Sequence, residues 1–268
     1  MDLRDARGLL VAPRFSRLKA RTNGMLDSLT YKRIYKEARN LPDYPFVEVG
    51  AAAGSATIAL AWAYKHTGKQ SKIIAIEKFE GGSRIEHGDF DDNLSIFTSN
   101  LSRFGVSENV LLYSDHCRLA DRQKIELLID SEHISGFMHD ADGRIDRDFE
   151  LFWDKTIPGG LIIVDDYENK PNYKQYSARD PDGGAKLITT FKLLNILIKH
   201  GFFQPKLQMR GTIFGVKPPD ATEKEIPTKE IDATLEEIEA DRAVFLARLL
   251  GGGLPAEHGG QGQEESVR

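Results

Sequence analysis

Short apolar runs alternate with amphipathic segments along most of this chain. The predicted strands are residues 45–49, 72–76, 109–113, 134–139 and 161–164. The predicted helices are residues 26–38, 55–66, 118–129 and 146–155, with a further helix ending near residue 104. Strands that alternate with helices are typical of a parallel sheet covered by helices on both faces. The pattern therefore predicts an α/β, doubly wound, Rossmann-like fold.

The end of the chain breaks this alternation. A strongly apolar helix is predicted for residues 185–200, and the runs 202–209 and 212–216 predict an antiparallel hairpin at the sheet edge. A charged helix over residues 227–250 carries an apolar stripe at helical spacing. Two interpretations of this helix stay open, packing onto its own domain and forming a homodimer.

The same pattern divides the chain into four parts. We predict a polar N-terminal arm (1–23), a main domain (24–218), a helical extension (219–250) and a disordered tail (251–268). The tail is rich in glycine, glutamate and glutamine, which cannot build a core.

The composition of the chain argues against several classes of function and site. The 268 residues carry a net charge of -5, which argues against a general nucleic-acid binder. Cys117 is the only cysteine, so an intrachain disulfide and a multi-cysteine zinc site are excluded. No apolar run approaches the length of a membrane span, and the N-terminus lacks the apolar core of a signal peptide. We expect a cytoplasmic protein with no membrane partner.

The most informative stretch joins the first strand to the helix at 55–66. Gly50 allows a sharp turn and a close approach of backbone to ligand, and Gly54 lets the helix begin near the sheet. Ser55 is the expected N-cap. Ala52 stands where a dinucleotide fingerprint needs a glycine to admit a pyrophosphate. The turn therefore favours a nucleotide-type ligand without a pyrophosphate, although a turn of any doubly wound protein remains an alternative.

Three acidic residues extend this candidate site. Glu77 ends the second strand, where a carboxylate accepts hydrogen bonds from ribose hydroxyls. Glu48 lies inside the first strand, and a buried carboxylate needs partners. Asp115 follows the third strand.

The Glu-x-Gly-x-x-x-Gly pattern of residues 48–54 resembles motif I of the class I S-adenosylmethionine-dependent methyltransferases. The resemblance implies that Glu48 supports the turn and the methionine end of the cofactor, and that Asp115 lies near the adenine. In that family the first, fourth and fifth strands are neighbours. Asp140, Asp165 and Asp166 would then meet beside the methyl donor, where Asp140 is also expected to contact the cofactor and to take part in catalysis. Three close carboxylates either raise their pKa values or share a cation. All-oxygen ligands suit Mg²⁺, Mn²⁺ or Ca²⁺.

A second resemblance is more specific. The segments His139-Asp140-Ala141-Asp142, Trp153, Pro158-Gly159-Gly160 and Val164-Asp165-Asp166-Tyr167 are similar to those of metal-dependent O-methyltransferases. The acidic pair at 165–166 matches the macrocin-type sugar O-methyltransferases and their cephalosporin-hydroxylase-like relatives better than the catechol and caffeoyl-coenzyme A type. This resemblance implies that Asp140, Asp165 and Asp166 hold a divalent ion, such as Mg²⁺, which chelates two acceptor oxygens.

One position departs from those families. They place a basic residue three positions after the first metal aspartate, and here that residue is Gly143. The remaining candidates for a general base are His139, His87, Arg144, Lys170 and Lys174. Strand alternation is expected to turn His139 into the core, which weakens its case as a catalytic residue.

The segment 167–184 follows the predicted metal ligands and contains tyrosine, lysine and arginine. We predict that it forms a lid over a small hydroxylated acceptor, with a sugar as the favoured class. Three hypotheses stay open: a metal-dependent O-methyltransferase acting on a vicinal diol, a metal-independent methyltransferase, and a non-catalytic ligand-binding protein of the same fold. Ala52 disfavours a nicotinamide dehydrogenase.

Overall fold

The structure is a computed structural model, and it describes residues 15–80, 90–170, 185–221 and 224–249. The strands are β1 (Phe46–Val49), β2 (Ile73–Ile76), β3 (Val110–Tyr113), β4 (Ile134–His139), β5 (Thr156–Val164), β6 (Gln204–Met209) and β7 (Thr212–Val216). The helices are α1 (15–22), α2 (Ser28–Arg39), α3 (Ser55–Thr67), α4 (Phe90–Arg103), α5 (Arg122–Ile129), α6 (Ile145–Phe152), α7 (Lys186–Lys199) and α8 (Thr228–Leu249).

The described strands form one sheet in the order β3-β2-β1-β4-β5-β7-β6. Strands β1 to β5 run parallel, and β7 runs antiparallel between β5 and β6. The predicted α/β doubly wound sheet, with its antiparallel C-terminal hairpin, is confirmed.

The strand register aligns the carboxyl ends of the central strands. Val49 of β1 pairs with Ile76 of β2 and with His139 of β4, and His139 pairs with Val164 of β5. The residues that follow these strands therefore leave the sheet at one level. In open α/β sheets this edge is where ligands bind.

Two apolar layers hold the sheet. Alternate strand residues point to opposite faces, so Phe46 packs with α2 and α3 while Val47 packs with α5, α6 and α7. Helix α3 is buried along most of its length, which explains its small and apolar residues. The site edge thus lies on a rigid base.

Part of the predicted polar arm is packed. Phe15 and Leu18 of α1 are fully buried, and the Phe15 ring lies 5.5 Å from Tyr35 and 6.0 Å from Trp62. Two apolar residues within a charged segment were too weak a signal for this helix. Residues 1–14 and the predicted tail 251–268 lie outside the described residues.

Strand β5 begins earlier than predicted. The predicted helix 146–155 and the predicted strand 161–164 left Pro158, Gly159 and Gly160 between them, but these residues lie within β5, and α6 already ends at Phe152. Thr156 pairs with Ile134 of β4 before an irregularity in the register, so the β-ladder tolerates the turn-forming residues.

Helix α8 packs on α7. Ile231 and Ile238 are buried, and ion pairs join Lys192 to Glu237 at 2.9 Å and Lys199 to Glu230 at 2.8 Å. The apolar stripe of α8 thus has partners within its own chain, and the homodimer stays a prediction. Among the described helices, none combines the length and apolar character that a membrane span requires.

Candidate functional site

The turn after β1 is shaped by a close backbone contact. Gly50 has a φ of +91°, and a Cβ atom there would lie 2.0 Å from the carbonyl oxygen of Asp140. Its N–H donates to the carbonyl oxygen of Ile76 at 2.9 Å. Only glycine fits this position without displacing the loop after β4.

The predicted N-cap was wrong by one residue. Gly54, with a φ of +85°, is the N-cap of α3, and Ser55 is the first helical residue. The Ser55 Oγ atom lies 2.6 Å from Thr22 Oγ1 of α1, because the left-handed backbone at Gly54 turns the chain directly into the helix. Ser55 thereby links the N-terminal helix to the turn.

A pocket lies over this turn. Of the predicted cofactor residues, Glu48, Gly50, Ala52, Ser55 and Asp140 line it, while Gly54 lies outside the lining, where a Cβ atom would come within 3.1 Å of the Phe97 ring. Sequence reasoning missed the other wall, formed by residues 23–26 and Tyr31. The Tyr31 hydroxyl accepts a hydrogen bond from the N–H of Leu26 at 3.1 Å, and burial raises the pKa of Tyr31 to about 12.

Glu48 carries an unsatisfied acceptor into this pocket. The residue is 1% exposed, and among the described residues its Oε2 atom has no hydrogen-bond partner. Burial raises the pKa of Glu48 to about 8. A buried oxygen without a partner is costly, and a ligand that donates a hydrogen bond would satisfy it. The amino group of S-adenosylmethionine has this chemistry, so the pocket fits that cofactor.

The two other predicted cofactor carboxylates differ in position. Glu77 reaches the turn, where its Oε2 atom accepts from the N–H of Ala52 at 2.7 Å and its Oε1 atom accepts from the N–H of Phe79 at 3.1 Å. Asp115 is exposed and caps the N–H of His116 at 2.6 Å. The structure brings Glu77 to the turn and leaves Asp115 outside the pocket lining, and both roles stay predictions.

The three predicted metal ligands converge. Asp140 follows β4, Asp165 and Asp166 follow β5, and each offers a carboxylate oxygen within 4.8 Å of the other two. Asp166 adopts a left-handed φ of +57°, which is uncommon for a residue other than glycine. Thr212 of β7 donates to the Oδ1 atom of Asp165 at 2.5 Å. The prediction that the carboxylates after β4 and β5 lie close together is confirmed.

Crowding of these carboxylates changes their acidity. Burial and the neighbouring Asp165 raise the pKa of Asp140 well above its usual range. Burial and Asp166 likewise raise the pKa of Asp165. An added cation would relieve both effects.

Sequence reasoning missed the cation that this cluster already contains. The Nζ atom of Lys186, at the start of α7, lies 2.5 Å from Asp166 Oδ2 and 3.3 Å from Asp140 Oδ1. Although burial opposes its charge, Asp140 and Asp166 raise the pKa of Lys186 above its ordinary value. No local motif marks Lys186, and the only signal was a basic residue opening an apolar helix.

The position of Lys186 also explains why residue 143 is a glycine and not the basic residue of the similar families. A Cβ atom at Gly143, which has a φ of +86°, would lie 3.0 Å from the carbonyl oxygen of Lys186. The space of a side chain at 143 is thus taken by the start of α7. The structure brings a basic group to the carboxylates from a different element.

The other candidate bases are engaged or not described. Arg144 forms two hydrogen bonds with Asp146, and Lys170 pairs with Glu168 at 3.1 Å. His87 and Lys174 lie outside the described residues.

His139 is turned into the core, as strand alternation predicts. It is fully buried, and its Nδ1 atom lies 2.6 Å from Asp148 Oδ2. The Oδ1 atom of Asp148 also accepts a hydrogen bond from Nε of Arg147. The Nη1 atom of Arg147 donates to Asp142 Oδ2 at 2.6 Å. Although burial opposes it, Arg147 lowers the pKa of Asp142 to about 2. This network braces the loop that carries Asp140, and it does not bring His139 to the cluster.

The donor set fits a divalent cation. Three carboxylates supply the hard oxygen ligands that Mg²⁺, Mn²⁺ and Ca²⁺ prefer. Asp140, Asp165 and Asp166 would hold such an ion. Lys186 contacts two of these three carboxylates.

Known proteins share this fold. Residues 47–167 match the model of a family described as a methyltransferase domain. A search of curated proteins found no match.

Three crystal structures are similar to this chain. Cofactor-bound Rv0187 from MTB has a TM-score of 0.56 and 16% identity, covering 81% of this chain and 98% of its own. A putative caffeoyl-CoA O-methyltransferase from Staphylococcus aureus has a TM-score of 0.56 and 16% identity, covering 81% and 100%. The O-methyltransferase TomG from Streptomyces achromogenes, involved in tomaymycin synthesis and in complex with SAM, has a TM-score of 0.53 and 14% identity, covering 78% and 89%. Residues 47–167 therefore match a methyltransferase domain, and the sheet order and the similar structures show that the chain has the fold of the class I methyltransferases.

Proposed function

We propose that the protein is an O-methyltransferase that uses a divalent ion held by Asp140, Asp165 and Asp166 to bind a vicinal diol. A sugar or a natural-product glycoside is the favoured acceptor. One observation carries the proposal: Asp140 belongs to the carboxylate cluster and also lines the pocket over the glycine turn. An acceptor oxygen held at the cluster would therefore lie beside the cofactor.

The protein's own contribution is positioning. The contact between Gly50 and the backbone of Asp140 fixes the cofactor turn against the loop that carries the first metal ligand. Thr212 fixes Asp165, and the Arg147–Asp148–His139 network holds the loop after β4. Correct placement of two reactants supplies a large share of the rate enhancement in transfer reactions.

The groups that the chain would bind supply the chemistry. S-Adenosylmethionine, when bound, brings an activated methyl group and its leaving group. A divalent ion at the three aspartates would lower the pKa of an acceptor hydroxyl and orient it. Among the described residues Lys186 is the basic side chain in contact with the cluster, and it would balance the charge of Asp140 and Asp166.

A second candidate function is a metal-independent methyltransferase. It is favoured by one observation, the ammonium group of Lys186 within hydrogen-bonding distance of two of the three carboxylates. In this case Lys186 replaces the ion as the positive charge of the site. The two candidates share the cofactor and differ in their response to a chelator.

The deciding experiment is calorimetry on metal-stripped protein. S-Adenosylhomocysteine is titrated first, and Mn²⁺ is then titrated into the wild type, the double variant Asp165→Asn/Asp166→Asn, and Asp154→Asn as a matched control at an exposed position. We expect the wild type and the control to bind both ligands and the double variant to lose only Mn²⁺. Cofactor binding without Mn²⁺ binding in the wild type would favour the second candidate.

The acceptor class is tested separately. Methyl transfer from S-adenosylmethionine is measured with vicinal diols and with matched compounds that carry one hydroxyl. We expect the diols alone to be methylated, and a chelator to abolish that activity. Equal turnover of mono-hydroxylated compounds would contradict chelation of two acceptor oxygens.

A further inference from the structure

Lys186 lies at a position where the helix dipole disfavours a positively charged side chain. It is the first residue of α7, and a helix N-terminus carries a partial positive charge that disfavours cations. The first turn of α7 contains no acidic residue to offset this effect. The position of the Lys186 ammonium is therefore set by the carboxylates that it contacts.

The loop after β4 is shaped to admit Lys186. The backbone of Lys186 packs against Gly143, where a Cβ atom would lie 3.0 Å from its carbonyl oxygen and 3.4 Å from its Cα atom. The Lys186 side chain is 24% exposed, and that of Asp140 is 12% exposed. The ammonium is thus built into the cluster and is not a mobile surface charge.

The same carboxylates serve as the proposed ion ligands. Lys186 Nζ contacts Asp140 and Asp166, which are two of the three ligands of the proposed divalent ion. Two cations that bind the same pair of carboxylates at close range repel each other strongly. One ammonium also leaves two of the three negative charges unbalanced when all are ionised, so the cluster retains an attraction for a divalent ion.

We propose that Lys186 is the resident counter-ion of this cluster and competes with the divalent ion for Asp140 and Asp166. Without the ion, Lys186 holds the carboxylates together. When the ion binds, Lys186 leaves both contacts. The affinity for the ion is thereby lowered by a residue of the chain itself. This inference rests on the proposed metal-dependent function.

The test compares Lys186→Met with Lys192→Met. Methionine keeps the length of the side chain and removes its charge. Lys192 lies on the same helix, is 27% exposed, and pairs with Glu237 away from the cluster, so it controls for loss of a lysine from α7. Mn²⁺ binding is measured by electron paramagnetic resonance on metal-stripped protein, together with the thermal midpoint with and without Mn²⁺.

We expect Lys186→Met to bind Mn²⁺ at least about tenfold more tightly than the wild type, because the competing charge is gone. Its midpoint without Mn²⁺ should fall, since three carboxylates then repel one another, and Mn²⁺ should restore it. Lys192→Met should match the wild type in Mn²⁺ affinity. A folded Lys186→Met with unchanged or weaker Mn²⁺ affinity would overturn the inference and leave the metal-dependent function standing.

Absence of Mn²⁺ binding in both the wild type and Lys186→Met, with S-adenosylhomocysteine still bound, would remove the metal from the proposed function and the competition with it. If Lys186→Met does not fold, Lys186→Gln is measured instead. It removes the charge and keeps a hydrogen-bond donor, so the same gain in Mn²⁺ affinity is expected.

Discussion

Replacing Glu48 by glutamine should change how the stability of the protein depends on pH. Burial raises the pKa of Glu48 from the ordinary 4.5 to about 8. The folded state therefore holds this proton more tightly than the unfolded state does. The stabilisation that comes from this tighter proton binding is fully present below the pKa of Glu48 in the unfolded state. It is lost as the pH rises through the pKa of Glu48 in the folded state.

The size of the effect follows from the two pKa values. The difference between 4.5 and about 8 corresponds to up to about 5 kcal/mol of unfolding free energy. Because Glu48 is 1% exposed, solvent screening takes away little of this energy. Glutamine has nearly the same shape and does not titrate. Relative to the wild type, Glu48→Gln should thus gain about 4 kcal/mol between pH 5 and pH 9.

The assay is urea denaturation of the cofactor-free protein, followed by circular dichroism and by the fluorescence of the buried Trp62 and Trp153. Glu236→Gln, an exposed substitution on α8, is the control, and its stability should follow that of the wild type at every pH. Other buried carboxylates titrate in all three proteins, so the difference between the curves isolates Glu48. Parallel curves for the wild type and Glu48→Gln would refute the reasoning.

Three further substitutions test the supports of the site. Gly50→Ala should destabilise the fold by about 2 kcal/mol or more and abolish S-adenosylhomocysteine binding in calorimetry, because its Cβ would overlap the Asp140 carbonyl. Asp148→Asn should lower the unfolding free energy by about 3 kcal/mol in urea, since Arg147 loses a buried partner, and a loss below about 1 kcal/mol would contradict this. Thr212→Val should weaken Mn²⁺ binding about tenfold at an unchanged thermal midpoint.

Much of the fold was predictable because it depends on local pattern. The five parallel strands follow apolar runs, and β4 was placed at its observed residues, 134–139. The turn at Gly50 followed from the glycine spacing, and the meeting of Asp140 with Asp165 followed from the strand order of the resembling family.

The features that the sequence did not predict depend on contacts between residues far apart in the chain. Lys186 reaches Asp140 across 46 positions of sequence, and no local pattern encodes that contact. Thr22 meets Ser55 across 33 positions, which is why the pocket wall near Tyr31 was not foreseen. The start of β5 was missed because Pro158 and Gly159 normally end elements, and pairing with β4 overrides that preference.

The place of β7 has a consequence for synthesis of the chain on the ribosome. Residues of β5 emerge well before β7, which is the strand that covers the outer edge of β5. Until β7 emerges, β5 presents an apolar edge with unpaired backbone groups, which is a template for aggregation. The nascent protein also lacks Thr212, the hydrogen-bond donor to Asp165. A chain stopped before residue 212 would therefore expose the edge of β5 and would have an incomplete site.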